Sequence, residues 1–181
     1  MNNDYLEKIS FYTKLIINNI PDEKIRIQIG ENCNKNEFHT KILIAIFAIE
    51  TTFRPYPVRI CENFLMFINI LFFRFLGLPI FDASIGPFQL KISTGASILS
   101  IDYTIKDNFI KFNKTTSVLN YLAKIWDLNF SIKLALKYIQ KITHTYAHAN
   151  SNIKDLITNI GENYNGDILY SEILYRLVKV L

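Results

Sequence analysis

Glu50 ends a run of eight uncharged residues, Ile42 to Ile49, in the stretch KILIAIFAIETTFRP. A carboxyl group in that place could do acid–base work. Helical spacing puts it on the face of Ile46 and Phe47, with Leu43 one turn back. Burial among apolar chains disfavours the charged form, and the negative end of the helix dipole pushes the same way. Both effects raise the pKa, and a glutamic acid still protonated near neutral pH is what a general acid requires. The plainer reading is a helix-end glutamate that meets water or pairs with Arg54.

Three further stretches carry groups that suit such an acid. Phe53 follows Glu50 by three residues, and SIGPFQLKISTGAS places Gly86 and Gln89 ahead of Thr94 and Ala96. IGENYNGDI contains Tyr164, Asn165 and Gly166, and ILYRLVKVL contains Tyr175 and Val178. In this order the motifs resemble the lytic transglycosylase and goose-type lysozyme family. That family has a helix-end E-S-x-F, a G-L-M-Q loop followed by Thr, a Y-N-x-G motif and a final Y-x-x-V helix. The resemblance runs from about Lys41 to Leu181. Thr51 stands where the family has Ser, the loop reads Gly-Pro-Phe-Gln, and Gly166 follows Asn165 directly, one residue short. A whole apolar helix, about 58–76, is inserted between Glu50 and Gly86.

The resemblance implies a peptidoglycan-cleaving enzyme with a lysozyme-like fold, acting on the β-1,4 bond between N-acetylmuramic acid and N-acetylglucosamine. Glu50 would protonate the glycosidic oxygen. In the transglycosylases the same glutamate then serves as base toward the muramic 6-hydroxyl, so no second enzymic carboxylate and no cofactor are required. Ser84, Gly86, Phe88 and Gln89 would hold the sugar. Tyr164 and Asn165 would meet Glu50 or the adjacent sugar, Tyr164 through its hydroxyl, and Tyr175 would pack near the same cleft. Asp82 is the possible second carboxylate. At about 6.5–9.5 Å from Glu50 it would permit an inverting hydrolase, the goose-type case. A local turn bond to Ser84 is the alternative. Each of these residues also has a structural reading: a turn at Gly86-Pro87, a helix C-cap at Tyr164-Asn165-Gly166, a core position for Tyr175. A lysozyme-like binding protein with weak or no turnover is the alternative to the enzyme.

Other chemistries find little purchase. His144 and His148 have a helical spacing that can chelate zinc, but no H-E-x-x-H motif or cysteine joins them, so no metal is expected. No phosphate-cradling glycine loop or serine or cysteine nucleophile motif occurs. Cys33 and Cys61 form no C-x-x-C pair and are expected as free or buried thiols. The net charge of +4 and pI of about 9.0 suit an anionic polymer, acidic lipid or bacterial wall. The lysines are scattered, with no basic block and interleaved aromatics, and no nucleic acid is expected.

The elements that must position these groups are helices. Half of the 181 residues are hydrophobic, while Gly and Pro are scarce, so one mostly α domain of seven or eight helices is expected. An N-terminal part, 1–35, holds a helix from Asp4 to Asn19 and an alternating segment, Lys24 to Gly30, that suits a short strand. Residues 36–181 form the lysozyme-like core. Its helices are expected from Asn36 or Glu37 to Glu50, Val58 to Leu76, near STGASILSI, Thr115–Trp126, Asn129–Tyr146, Asn152–Tyr164 and Asp167–Val180, with a loop through GLPIFDASIGPFQLK. The stretch FLMFINILFFRFLG, 64–77, carries Asn69 and Arg74 and is shorter than the roughly 20 residues a membrane span requires. It suits a buried helix, or one docked on a membrane surface or a protein partner. The N-terminus lacks the basic-then-apolar order of a signal peptide. Action on the cell wall, periplasmic or extracellular, would then depend on another export route, such as phage or secretion-system delivery.

Overall fold

The computed structural model describes residues 3–54, 56–113, 115–147 and 152–181. Pro55 and His148, the second of the histidine pair, lie outside the described residues. In chain order the elements are α1 (Asn3–Ile17), α2 (Glu23–Asn32), α3 (Glu37–Phe53), α4 (Tyr56–Leu76), β1 (Ile80–Phe81), β2 (Ser84–Ile85) and β3 (Leu90–Lys91). Then follow α5 (Ile92–Ile98), β4 (Tyr103–Lys106), β5 (Phe109–Phe112), α6 (Thr115–Lys124), α7 (Leu128–Ala147), α8 (Ile153–Asn165) and α9 (Ile168–Val180). The chain is mostly α, as expected, with nine helices among the described residues. It divides into two compact units, one of Met1–Phe53 with Ala135–Leu181, the other of Arg54–Leu134.

In the first unit the expected strand at Lys24–Gly30 is instead the body of α2. Its start is fixed by the Asp22 carboxylate, which accepts a hydrogen bond from the Ile25 N–H at 2.9 Å. The alternation that suggested a strand fails at burial. Ile29 is buried while Ile27, two residues before it, is more than half exposed. Helix α3 follows, and its residues Ile42 to Glu50 are all buried, so the helix is enclosed on every side rather than along one stripe. It packs on α1, α2 and α9, and α9 also packs on α1 and α8.

The α8–α9 pair is a tight helical hairpin. Gly166 closes α8 in the left-handed conformation, at φ 78°, and its N–H reaches Glu162 O at 2.8 Å. Asp167 then caps α9 by accepting from the Leu169 N–H at 2.8 Å. The helices approach closely at Gly161, where a Cβ would lie 2.7 Å from the backbone Cα of Ser171. Both thiols are free, Cys33 buried and Cys61 exposed.

The second unit holds α4, α5, α6, the start of α7 and two small antiparallel sheets, one ordered β1-β5-β4 and the other β2-β3. These strands lie partly in the stretch expected as loop. The β4–β5 hairpin adds to the elements expected from pattern. Its turn residues, Asp107 and Asn108, have φ of 51° and 63°, the mirror-image turn that matches strand twist. The expected helix near STGASILSI is α5. The residue at the N-cap is Lys91, without a side-chain cap bond, and the Ser93 N–H is met instead by a carboxylate from another loop, Asp82.

Gly161→Ala should destabilise the protein by about 1–3 kcal/mol through overpacking of α8 against α9. A lower urea midpoint with an unchanged denaturant slope would bear this out. A midpoint equal to wild type would mean that the hairpin is not closely packed.

Candidate functional site

Glu50 lies in the last turn of α3 and is 5% exposed. A buried carboxyl needs protein donors in place of water. One comes from α9, where the hydroxyl of Tyr170 donates to Glu50 Oε1 at 3.2 Å. Tyr170 is itself buried and stacks on Tyr164, with rings 6.3 Å apart and nearly parallel. Tyr164 in turn lies 5.9 Å from the ring of Tyr138 on α7, whose hydroxyl donates to Asn163 O at 2.8 Å. Three tyrosines from three helices thus form a chain of rings that ends at Glu50.

The electrostatics follow from burial. The hydroxyl of Tyr164 is pushed well above the ordinary tyrosine range, first by desolvation, then by the nearby Glu50 charge and by Tyr138. Tyr138 is raised as well, by burial and then by Tyr146. These phenols stay neutral at neutral pH and remain available as donors. Thr51, beside Glu50, turns its hydroxyl back to Phe47 O at 2.8 Å and Ala48 O at 3.1 Å, and so serves its own helix end.

The expected roles redistribute. Tyr164 does come to the glutamate, but the hydroxyl bonded to Glu50 Oε1 is that of Tyr170. That residue was not singled out from sequence, although its spacing with Leu174, Leu177 and Val178 marks the buried face of α9. Asn165 is exposed at the end of α8, consistent with the C-cap reading of that motif. Tyr175 faces a different cavity, of about 580 Å³, lined also by Phe38, Lys41 and Ile157. Its ring has the ammonium groups of Lys154 and Lys179 each 5.4 Å from its centre.

Ser84, Gly86, Phe88, Gln89 and Asp82 belong to the second unit. There the Gly86–Gln89 turn joins β2 to β3. Gly86 has φ 78°, and a Cβ on it would meet Ile125 O at 2.8 Å, so both conformation and space demand glycine. Phe88 is 1% exposed and anchors the turn in the core. Gln89 is also buried. Its amide donates to Gly86 O at 2.9 Å, and its carbonyl accepts from the Arg54 guanidinium. Arg54 further lies 3.4 Å from Glu62.

Asp82 does not bond to Ser84. Its two oxygens accept from the Ser93 N–H at 2.9 Å and the Ser93 hydroxyl at 2.7 Å, capping the start of α5 from a separate loop. Ser84 is half-buried, pairs with Lys91 and borders a cavity of about 440 Å³ with Arg54, Glu62 and Asp82. Among the described residues no three His, Cys, Asp or Glu gather as a metal site. Comparison with family models, with curated proteins and with solved structures returned no match.

Tyr170→Phe removes one donor from the Glu50 carboxyl and should cost about 1 kcal/mol of stability, read from urea unfolding. No loss would mean that the bond is idle. A second expectation concerns alkaline pH. A phenol whose pKa is raised by folding is protonated in the folded chain when the unfolded chain has already lost its proton. Tyr164 and Tyr138 should therefore contribute fully below about pH 10, with stability falling as pH rises beyond it, by up to about 1.4 kcal/mol per pH unit for Tyr164 and by less for the more exposed Tyr138. Tyr164→Phe should flatten that fall, measured by urea unfolding across the alkaline range with tyrosinate absorbance followed in parallel. An unchanged slope would remove Tyr164 from the buried set.

Proposed function

We propose that the protein is a lysozyme-like glycosidase that cleaves the β-1,4 bond between N-acetylmuramic acid and N-acetylglucosamine in peptidoglycan, with Glu50 as its general acid. The observation that carries this reading is the burial of Glu50 at a helix end among neutral phenols, one of them bonded to it. Burial disfavours the charged form of such a carboxyl, and the Tyr170 hydroxyl that donates to it would steady the carboxylate left once the proton has gone. The motif order from Glu50 to Tyr175 supplies the substrate class, by resemblance.

In this reading Glu50 gives its proton to the glycosidic oxygen as the bond to the muramic C1 breaks. The resulting carboxylate then takes the proton of the 6-hydroxyl, whose oxygen closes on C1 to give a 1,6-anhydro sugar. A hydrolase would require a base to activate water. Asp82 is the candidate, but both its oxygens are engaged by Ser93. That engagement favours the transglycosylase over the muramidase. The wall substrate puts the working location in the periplasm or outside the cell.

A second reading is a wall-binding or protein-binding relative with little turnover. The internal commitment of Gln89 to Gly86 and Arg54 supports it, because the amide expected to hold sugar is already engaged.

Purified peptidoglycan treated with wild type should release anhydro-muropeptides by mass spectrometry, and Glu50→Gln should lower that release by about 10²–10⁴-fold. Reducing-end products would favour the muramidase and return Asp82 to the site. Retention of peptidoglycan in pull-down, with no fragments from either protein over several wall types and pH values, would favour the binding reading.

A further inference from the structure

Helix α4 is amphipathic in the inverted sense. At 21 residues it is about 31 Å long. Its polar residues Glu62 and Asn69 face the 440 Å³ cavity beside Met66, and Met66 and Phe73 are buried. The rest of the circumference presents Phe64, Leu65, Phe67, Phe72, Phe75 and Leu76, each more than half exposed, with Phe75 at 73% and Leu65 also bordering that cavity. At 100° per residue these six span an arc of about 180°. A soluble surface rarely leaves so many large apolar chains together in water.

Two observations indicate what covers them. The first is breadth. A partner helix is met by a stripe of apolar positions, whereas half a helix circumference suits immersion in a continuous apolar medium. The second is charge. The Arg54–Leu134 unit, which carries α4, holds nine Lys and Arg against five Asp and Glu, a net of +4. The rest of the chain holds eleven of each sign and is neutral. The whole positive excess of the protein therefore belongs to the unit with the apolar helix. Arg74, Lys91, Lys106, Lys111, Lys124 and Lys133 in it are exposed. No helix among the described residues is long and apolar enough to cross a membrane.

We propose that the exposed face of α4 docks on the surface of an anionic lipid bilayer, its phenylalanines entering the interface, Arg74 on the same helix meeting the headgroups, and the net positive charge of the unit drawing it to the surface. The helix lies in the membrane plane and the protein is held peripherally. This docking is independent of what Glu50 does, and the test reads binding alone.

The test is flotation of the full chain with vesicles of phosphatidylcholine, or of phosphatidylcholine with about one third phosphatidylglycerol. The chain should float with the anionic vesicles, at least about tenfold more tightly than with neutral ones, and binding should weaken as ionic strength rises. Phe64→Gln with Phe75→Gln should reduce binding by about tenfold or more, with unchanged circular dichroism and urea midpoint. Arg74→Glu should weaken binding to anionic vesicles alone. An environment-sensitive dye on Cys61, on the same exposed side of α4, should shift to the blue on binding. Absence of flotation, equal binding to both vesicles, or undiminished binding by the phenylalanine variant would overturn the proposal. A self-associating chain that the phenylalanine variant makes monomeric, without lipid binding, would assign the face to a second copy instead.

Discussion

A carboxyl group buried at the end of an apolar helix is costly unless the protein supplies the hydrogen bonds that water would have made. That constraint organises the first unit. Ile42 to Ile49 draw the last turn of α3 inward, and Glu50 goes with them. The Tyr170 hydroxyl must then stand at 3.2 Å, which fixes α9 relative to α3. Tyr170 is steadied by its stack with Tyr164, and the two rings meet because Gly161 lets α8 and α9 come together. The turn at Gly166 and the cap at Asp167 bring the chain back in a few residues. A glycine, a cap and two aromatic rings thus serve one carboxyl.

In the second unit polar side chains are spent on holding loops. Asp82 caps α5, Gln89 closes its own turn, and Arg54 joins that turn to Glu62. These bonds let a compact unit form from short strands and a seven-residue helix, elements too small to be stable alone. The apolar surplus goes to the outside of α4. In a soluble unit it would be a liability, and the proposed docking on an anionic surface would give it a physical use.

Much of the helical architecture was legible. The apolar periodicity and the Asn-Gly and Asp positions marked α8 and α9 to within a few residues, since caps and periodicity are local properties. Lys24–Gly30 misled because isoleucine at every second position fits a strand, while the Asp22 cap and the tertiary contacts of Ile29 made it helical. The short strands β1, β2 and β3 gave little signal. Two-residue strands exist only by pairing, and pairing is not local. The Asp107-Asn108 hairpin is the kind of turn that sequence can suggest, since both residue types tolerate positive φ.

From the residue order alone came the mostly α class, the buried apolar run ending at Glu50, the free thiols and the excess apolar content of the 58–76 helix. The helices and the apolar run depend on neighbours within a turn or two. Tertiary structure alone decided the partners: that Tyr170 bonds to Glu50 Oε1, that Asp82 bonds to Ser93 rather than Ser84, and that Tyr175 faces another cavity. A hydrogen bond depends on distance and direction in space. Chain segments 120 residues apart, like those of Glu50 and Tyr170, acquire both only when the helices carrying them have packed.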